Sequence, residues 1–180
     1  GTFSYDNLTI PVTDAERKKL AAEALFIRAY HYFNLVRLYG GVFLIHEPIT
    51  AEEAKGINRT NVAEIYKLIV ADLQMAATNG INTKYPQMVL SSPNNIGRAN
   101  SWSAKALLAK VYLTQNKKAE AITLLQDVIT NSGYSLQSSY ANVFSVTNEM
   151  SSEMLFAIRF RAGGLGIGST FANTFAPIGS

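Results

Sequence analysis

The 180-residue chain contains no cysteine, a single tryptophan and no long apolar run. Without cysteine there is no disulfide, no thiolate zinc site and no thiol nucleophile. No run of apolar residues reaches the roughly 18 that a membrane-spanning helix requires. Charged residues make up only 16% of the chain, and the net charge of +3 comes from scattered Lys and Arg. This distribution does not predict a nucleic-acid partner.

No arrangement of catalytic, cofactor or metal-binding residues is evident. His31 lies on an apolar helix face, which favours a core histidine, and His46 beside Glu47 lacks a third ligand at a recognisable spacing. Glycosidases need two carboxylates about 5–10 Å apart. The loop and element-end carboxylates specify no such pair; they are Glu47, Glu52, Glu53, Glu149 and Glu153. We therefore predict no enzyme activity, cofactor or metal.

What the chain does contain is helical periodicity, most clearly in DAERKKLAAEALFIRAYHYFNLVRLYGG from Asp14 to Gly41. Thr13 and Glu16 are spaced as a capping box, and Gly40 suits the end of a helix over 14–39. Two apolar faces are predicted, where an ordinary surface helix has one, so we expect neighbours on two sides. One face holds Ala22, Leu25, Ala29, Tyr32, Phe33, Val36 and Tyr39; the other holds Leu20, Ala24, Ile27, His31, Leu35 and Leu38.

Three further helices are predicted, at about 61–78, 101–115 and 117–131. A short buried extended piece at 42–45 and a polar loop at 51–60 separate the first two, and a long polar loop over 80–97 follows. The last two helices join through so short a turn that they must be antiparallel neighbours. Their spacing fits a tetratricopeptide (TPR) pair, with small residues at Ala109 and Ala121. Large residues surround these positions, namely Leu108, Tyr112, Leu125 and Val128.

Two charged residues fall among apolar ones. Arg28 lies between the apolar faces of the first helix, and Asp72 lies inside the apolar stripe of the second. A buried charge is costly unless it is paired. We interpret both as structural residues that pair with each other, or with another buried partner such as Arg98.

The pattern changes after residue 134. Leu136, Tyr140 and Phe144 are spaced to pack a loose segment onto the helix pair, and alternation from Met154 to Phe160 predicts a strand. Residues 161–180 are a Gly-rich tail. The predicted fold is mainly α, with TPR-like antiparallel helix pairs, long irregular loops and a short strand near 154–160, in a single partial domain over 1–180.

Five segments, taken in order, resemble the SusD/RagB family of bacterial surface glycan-binding lipoproteins. They are EALFIRAYHYFNLVRLYGGVFLI at 23–45, IVADL at 69–73, GRANSWSAKALLAKVYL at 97–113, NSGYSL…Y…VF at 131–144 and SSEMLFAIRF at 151–160. The resemblance spans about Asp14 to Phe160. It implies a fold with a TPR-bearing helical side joined to an irregular lobe. This chain is expected to hold the N-terminal part of the helical side.

The resemblance also implies function: non-catalytic oligosaccharide binding for nutrient uptake, by a protein that lies as a lid on a SusC-type TonB-dependent transporter in the outer membrane. Members are tethered through a lipidated cysteine, which these 180 residues lack. Two alternatives remain, a TPR-type protein-interaction scaffold and an all-α glycan-processing enzyme. A full-length gene that encodes a lipidation cysteine and lies beside a transporter gene would separate glycan capture from the scaffold. Oligosaccharide turnover that a single carboxylate substitution abolishes would establish the enzyme.

No family sugar contact can be assigned to a residue here. Sugars pack on exposed aromatic rings, yet Trp102 and most Phe and Tyr positions have core spacing. Tyr85, in the long loop, is a weak candidate for glycan contact. Because few rings remain free, these 180 residues alone are expected to bind oligosaccharide weakly or not at all.

Overall fold

A computed structural model describes residues 13–81, 97–145, 148 and 151–158. Over these ranges the fold is helical, as predicted, and its helices occur in the predicted order. They are α1 (Asp14–Tyr39), α2 (Ala51–Lys55), α3 (Val62–Asn79), α4 (Ser101–Thr114), α5 (Lys118–Asn131) and α6 (Tyr140–Val143). The bounds of the four predicted helices are therefore confirmed to within a residue. The Gly-rich stretch 161–180 lies outside the described residues.

Local capping sets where the helices begin. Thr13 and Glu16 form the predicted capping box at α1. A second box between Thr50 and Glu53 starts α2, so the prediction of a polar loop over 51–60 is wrong for its first half. The T-x-x-E spacing from Thr50 to Glu53 is the sequence signal from which this short helix could have been predicted.

The four long helices form a layer in which each contacts the next long helix: α1 packs on α3, α3 on α4, and α4 on α5. One side of α1 and the apolar stripe of α3 supply most of the core. The fully or nearly buried side chains include Phe26, Phe33, Val36, Ile65, Ile69, Leu73, Leu108 and Val111. This succession of antiparallel helices is the arrangement that TPR-like pairing predicts.

Two glycines permit close approaches between segments. A Cβ on Gly41 would lie 2.7 Å from the Thr60 carbonyl oxygen, next to the antiparallel bridge between Val42 and Thr60. A Cβ on Gly80 would lie 2.9 Å from the Ser101 nitrogen. Gly80 thus allows the end of α3 to meet the start of α4, where the Ser101 N–H donates to the Ile81 carbonyl at 2.8 Å.

The second apolar face of α1 has no neighbour among the described residues. Its outermost leucine, Leu38, is 74% exposed, and Leu20, Ile27, Leu35 and His31 are exposed as well. The prediction that His31 is a core histidine is therefore wrong, because α1 packs through the opposite face only. Tyr39 was expected on the core face, but it lies at the last turn, beyond the reach of α3, and is 62% exposed.

A segment without long helices follows α5; we call it the 134–158 segment, meaning its described residues 134–145, 148 and 151–158. The strand expected near 154–160 does not form over 154–158, because among the described residues no extended partner lies alongside. Phe156 instead packs edge-on against Phe26 of α1, with ring centroids 4.9 Å apart. Phe160 lies outside the described residues.

Candidate functional site

The two charges that the sequence places among apolar residues meet in the core. Arg28 Nε lies 2.7 Å from Asp72 Oδ2, and Arg28 Nη2 lies 2.7 Å from Asp72 Oδ1, so the pair is bidentate. The Asp72 side chain is only 5% exposed. Arg28 also donates to the His46 carbonyl at 3.1 Å, which fixes the loop after α1. The carboxylate raises the pKa of Arg28. Every polar contact here is internal, which is typical of a structural pair.

Two more ion pairs fasten the helical layer. Arg98 forms a bidentate pair with Glu23 of α1, at 2.8 and 2.6 Å, and not with Asp72. On the other side of the layer, Lys105 Nζ lies 2.7 Å from Asp127 Oδ2. Hydrogen bonds from Lys105 and then Asn131 hold the pKa of Asp127 below its ordinary value. The carboxylates of Asp72, Glu23 and Asp127 are thus each paired with a cationic side chain. A catalytic acid or nucleophile would have to be free of such a pair.

The TPR-like crossing lies where α4 packs on α5. Ala109 and Ala121 are both fully buried there, and Leu108 and Val128 are buried beside them. Tyr112 and Leu125 are half-buried, and the Tyr112 hydroxyl accepts from Gln74 of α3 at 3.2 Å. A side chain larger than methyl at either alanine would have no space without moving a helix.

The other residues considered from the sequence lie apart from one another. Trp102 is half-buried, not a full core residue, and the Lys105 ammonium lies over its ring, 4.2 Å from the centroid. His46 is exposed in the loop after α1. Tyr85 lies outside the described residues. Across the part of the chain that the structure describes, no three His, Asp or Glu side chains are placed to share a metal ion.

Among the residues that the structure describes, the most exposed aromatic side chains are Tyr140 and Phe144, which are 81% and 68% exposed. Tyr140 opens α6 and Phe144 directly follows its last residue, and the two ring centroids lie 4.9 Å apart with planes inclined by 52°. The prediction that these residues and Leu136 pack onto the helix pair is therefore wrong. The i, i+4 spacing from the first residue of α6 to its C-cap brings the two rings against each other instead.

Side-chain hydrogen bonds hold the backbone beneath this aromatic pair. Gln137 donates to Ser152 Oγ at 2.8 Å and accepts from Asn148 at 3.1 Å, and Asn148 also donates to the Asn142 carbonyl at 3.0 Å. The Gln137 N–H donates to Glu153 at 2.8 Å. The result is a continuous polar network that runs from Glu153 to the turn bearing both rings.

A groove of about 520 Å³ opens beside the network, between α5 and the 134–158 segment. Ile129, Leu136 and Leu155 give it apolar walls, and Ser135 and Glu153 place polar groups at its edge. Apolar walls with a few polar groups are the usual chemistry of small-molecule sites. Sequence reasoning missed this surface, although the cluster of Ser, Asn and Gln around Tyr140 and Phe144 was a visible signal of it.

The segment is anchored to the helical layer at both ends. The Asn100 amide, which caps α4 by accepting from the Ser103 N–H at 2.8 Å, also donates to the Tyr134 hydroxyl at 2.9 Å. At the other end Phe156 packs on Phe26. The aromatic pair and the groove are thereby fixed relative to the helices. Tyr39, Tyr140 and Phe144 are exposed, so more rings are open to solvent than the spacing predicted.

Known proteins are similar to this chain in both sequence and architecture. A SusD-like protein of Formosa agariphila is 28% identical over 172 residues, which cover 91% of this chain and 31% of the relative. A laminarin-binding SusD-like protein superimposes with a TM-score of 0.74 at 32% identity, covering 82% of this chain and 32% of that one. A structure determined with a xylogluco-oligosaccharide superimposes with a TM-score of 0.70 at 28% identity, covering 83% and 31%.

The chain thus spans about a third of the length of the relatives it matches. Among the described helices, none combines the length and the apolar character needed to cross a bilayer. The family model SusD-like_3, described as starch-binding and associating with the outer membrane, matches residues 5–113, which is more than half of the chain. By sequence and by helical architecture, the chain belongs to the SusD-like family.

Proposed function

We propose that this protein captures an oligosaccharide at the surface of the bacterial outer membrane, without altering it chemically, for uptake by a SusC-type TonB-dependent transporter. The observation that carries the proposal is the shared helical scaffold. Among the proteins superimposed above, one is described as laminarin-binding and another was determined with a xylogluco-oligosaccharide. Both glycans are neutral, which fits the mild charge of this chain.

The state of the carboxylates supports binding without catalysis. Asp72, Glu23 and Asp127 are each held by a cationic side chain, so none is poised as a general acid or nucleophile. Glycoside hydrolysis requires a carboxylic acid with a raised pKa opposite a second carboxylate. Each carboxyl group with a resolved pKa shift, namely Glu16, Glu53 and Asp127, has its pKa lowered.

The uncovered face of α1 supports a protein partner. It holds Leu20, Ala24, Ile27, His31, Leu35 and Leu38, and it extends for about 27 Å without a charged residue. A helix that is apolar on both sides is normally covered on both sides. The proposed occupant is the transporter. The same face favours the second candidate function, a TPR-type scaffold for another protein.

A glycan microarray followed by titration calorimetry tests the proposed function. We expect at least one neutral oligosaccharide to bind with a Kd tighter than about 1 mM, which corresponds to about −4 kcal/mol. Chromatography after long incubation should recover that oligosaccharide intact. Binding of no glycan would leave the scaffold as the better explanation, and release of shorter sugars would establish an enzyme.

A further inference from the structure

The C-terminal end of α3 carries the one Asn-Gly pair of the sequence, Asn79 followed by Gly80. In such a pair the backbone nitrogen of the glycine can attack Cγ of the asparagine side chain, because glycine has no Cβ to hinder the approach. Asparagine is among the thermally labile residues of proteins. Asn79 is the last residue of α3 and Gly80 is its C-cap, so the geometry of the helix end decides whether the reaction occurs.

Two hydrogen bonds occupy the reacting groups while the helix end is closed. The Gly80 N–H, whose nitrogen is the nucleophile, donates to the Ala76 carbonyl at 2.9 Å. The Asn79 side-chain amide donates to the Met75 carbonyl at 3.1 Å, one turn back along the helix. Ring closure also requires a ψ angle at Asn79 far from the helical value of about −42°. The reaction therefore requires the last turn of α3 to open.

We propose that Asn79 is a deamidation site whose rate of modification is controlled by the last turn of α3. The Gly80 nitrogen forms a bond to Asn79 Cγ, the bond from Cγ to Nδ2 breaks, and the Gly80 proton leaves with the side-chain nitrogen as ammonia. The product is a succinimide ring. Water then adds to one of the two ring carbonyls, the bond from that carbon to the nitrogen breaks, and the nitrogen regains a proton. The final residue is aspartate or isoaspartate.

The junction between α3 and α4 has no space for the isoaspartate product. Isoaspartate lengthens the main chain by one methylene group directly before Gly80. A Cβ on Gly80 would already lie 2.6 Å from the Ala76 carbonyl oxygen and 2.9 Å from the Ser101 nitrogen. Ser101 is buried, and its N–H donates to the Ile81 carbonyl at 2.8 Å. We therefore expect the added methylene to displace residues 80 and 81 from the start of α4.

Both products also place a negative charge at the C-terminal end of α3. The helix dipole makes this end partially negative, so a carboxylate there is unfavourable. The carboxylate also cannot donate to the Met75 carbonyl as the amide did. Asn100, which precedes Ser101, caps α4 and donates to the Tyr134 hydroxyl. Deamidation at Asn79 thus loosens both the junction of α3 with α4 and the anchor of the 134–158 segment.

Peptide mapping by mass spectrometry, after incubation at mildly alkaline pH, tests the site and its control by the helix. Asn79 should be converted at least about tenfold faster in urea, where α3 is unfolded, than in native buffer, because the rate follows the population of the open state. Asn131, which precedes Ser132 at the end of α5, is the internal control. The serine Cβ hinders ring closure, so Asn131 should be converted more slowly than Asn79 in urea.

A matched pair of variants at Thr78, in the last turn of α3, separates helix opening from intrinsic reactivity. Each rate in native buffer is divided by the rate of the same variant in urea. By this ratio Thr78→Gly should react about three- to fivefold faster than Thr78→Ala, because glycine favours opening of the helix end. Equal ratios, or conversion of Asn79 as fast in native buffer as in urea, would show that the turn exerts no control. An unmodified Asn79 after incubation in urea would overturn the site itself.

Hydrogen exchange on the purified isoaspartate form tests the effect on α4. The Ser101 amide should exchange at least about tenfold faster than in the unmodified protein. Asn79→Gln, incubated in the same way, should stay unmodified and keep slow exchange at Ser101. Asn79→Asp carries the charge without the added methylene, so its effect should be smaller. Unchanged exchange at Ser101 in the isoaspartate form would contradict the link to α4. The reaction needs no glycan or partner, so these outcomes are independent of the proposed binding function.

Discussion

The helical layer and the 134–158 segment are held together in different ways. In the layer, α1, α3 and α4 bury large apolar side chains such as Phe33, Ile69 and Leu73. In the segment, amide and hydroxyl side chains form the main contacts, and Leu136 is left 83% exposed. Apolar burial supplies most of the free energy of folding, whereas a hydrogen bond exposed to water contributes little. We infer that the layer provides most of the stability of the fold, whereas the segment mainly forms solvent-exposed surface.

The largest effect should come from breaking the charge pair inside the layer. Arg28→Ala leaves the Asp72 carboxylate buried without its cation, so we expect a loss of about 3–5 kcal/mol in the free energy of unfolding. Urea denaturation measures it. The double variant Arg28→Met, Asp72→Leu should recover much of the loss, because it removes both charges and keeps apolar volume. A loss below about 1 kcal/mol for the single variant would show that the pair is not essential to the layer.

A smaller effect is expected at the crossing of α4 and α5. Ala109→Leu adds volume where both backbones approach, and overpacking of this kind costs about 1–3 kcal/mol. The matched control is Ala119→Leu, on the exposed side of α5, which should change the free energy of unfolding by less than about 0.5 kcal/mol. Equal urea midpoints for the two variants would argue against the TPR-like crossing.

The smallest effect should fall in the 134–158 segment. Gln137→Ala removes the hydrogen bonds to Ser152 and Asn148, and we expect a loss of about 0.5–1.5 kcal/mol in the free energy of unfolding. Gln126→Ala, on an exposed position of α5, serves as control. Hydrogen exchange should show faster opening around α6 in the Gln137 variant, with the core of α3 unchanged. A global loss as large as that of Arg28→Ala would contradict the division between layer and surface.

Local chemistry made the helices predictable. The Thr13–Glu16 box, the Gly40 end and the turn at residues 115–117 are short-range features, so the sequence was sufficient to locate α1, α4 and α5. The same reasoning would have found α2 from Thr50 and Glu53. Periodicity also marked Arg28 and Asp72 as charges in apolar surroundings, because a charge inside a stripe breaks the pattern.

Periodicity could not show which apolar faces are covered. The two faces of α1 look alike in sequence, but α3 packs on only one of them, and this left His31 and Leu38 exposed. Spacing likewise placed Tyr140 and Phe144 against the helix pair, since a repeat of four is compatible with burial or with mutual contact. A repeat describes one element, and burial requires a second element at the right distance.

By itself the sequence determined the helices, their caps, the family and the presence of two charges that must be paired. Only the tertiary structure decided the partners, because each depends on residues that are distant along the chain. Arg28 meets Asp72 across 44 positions, Arg98 meets Glu23 across 75, and Asn100 meets Tyr134 across 34. The exposed aromatic pair arises for the same reason: helix packing uses the apolar faces of α1, α3, α4 and α5, and the turn bearing Tyr140 and Phe144 remains outside the layer.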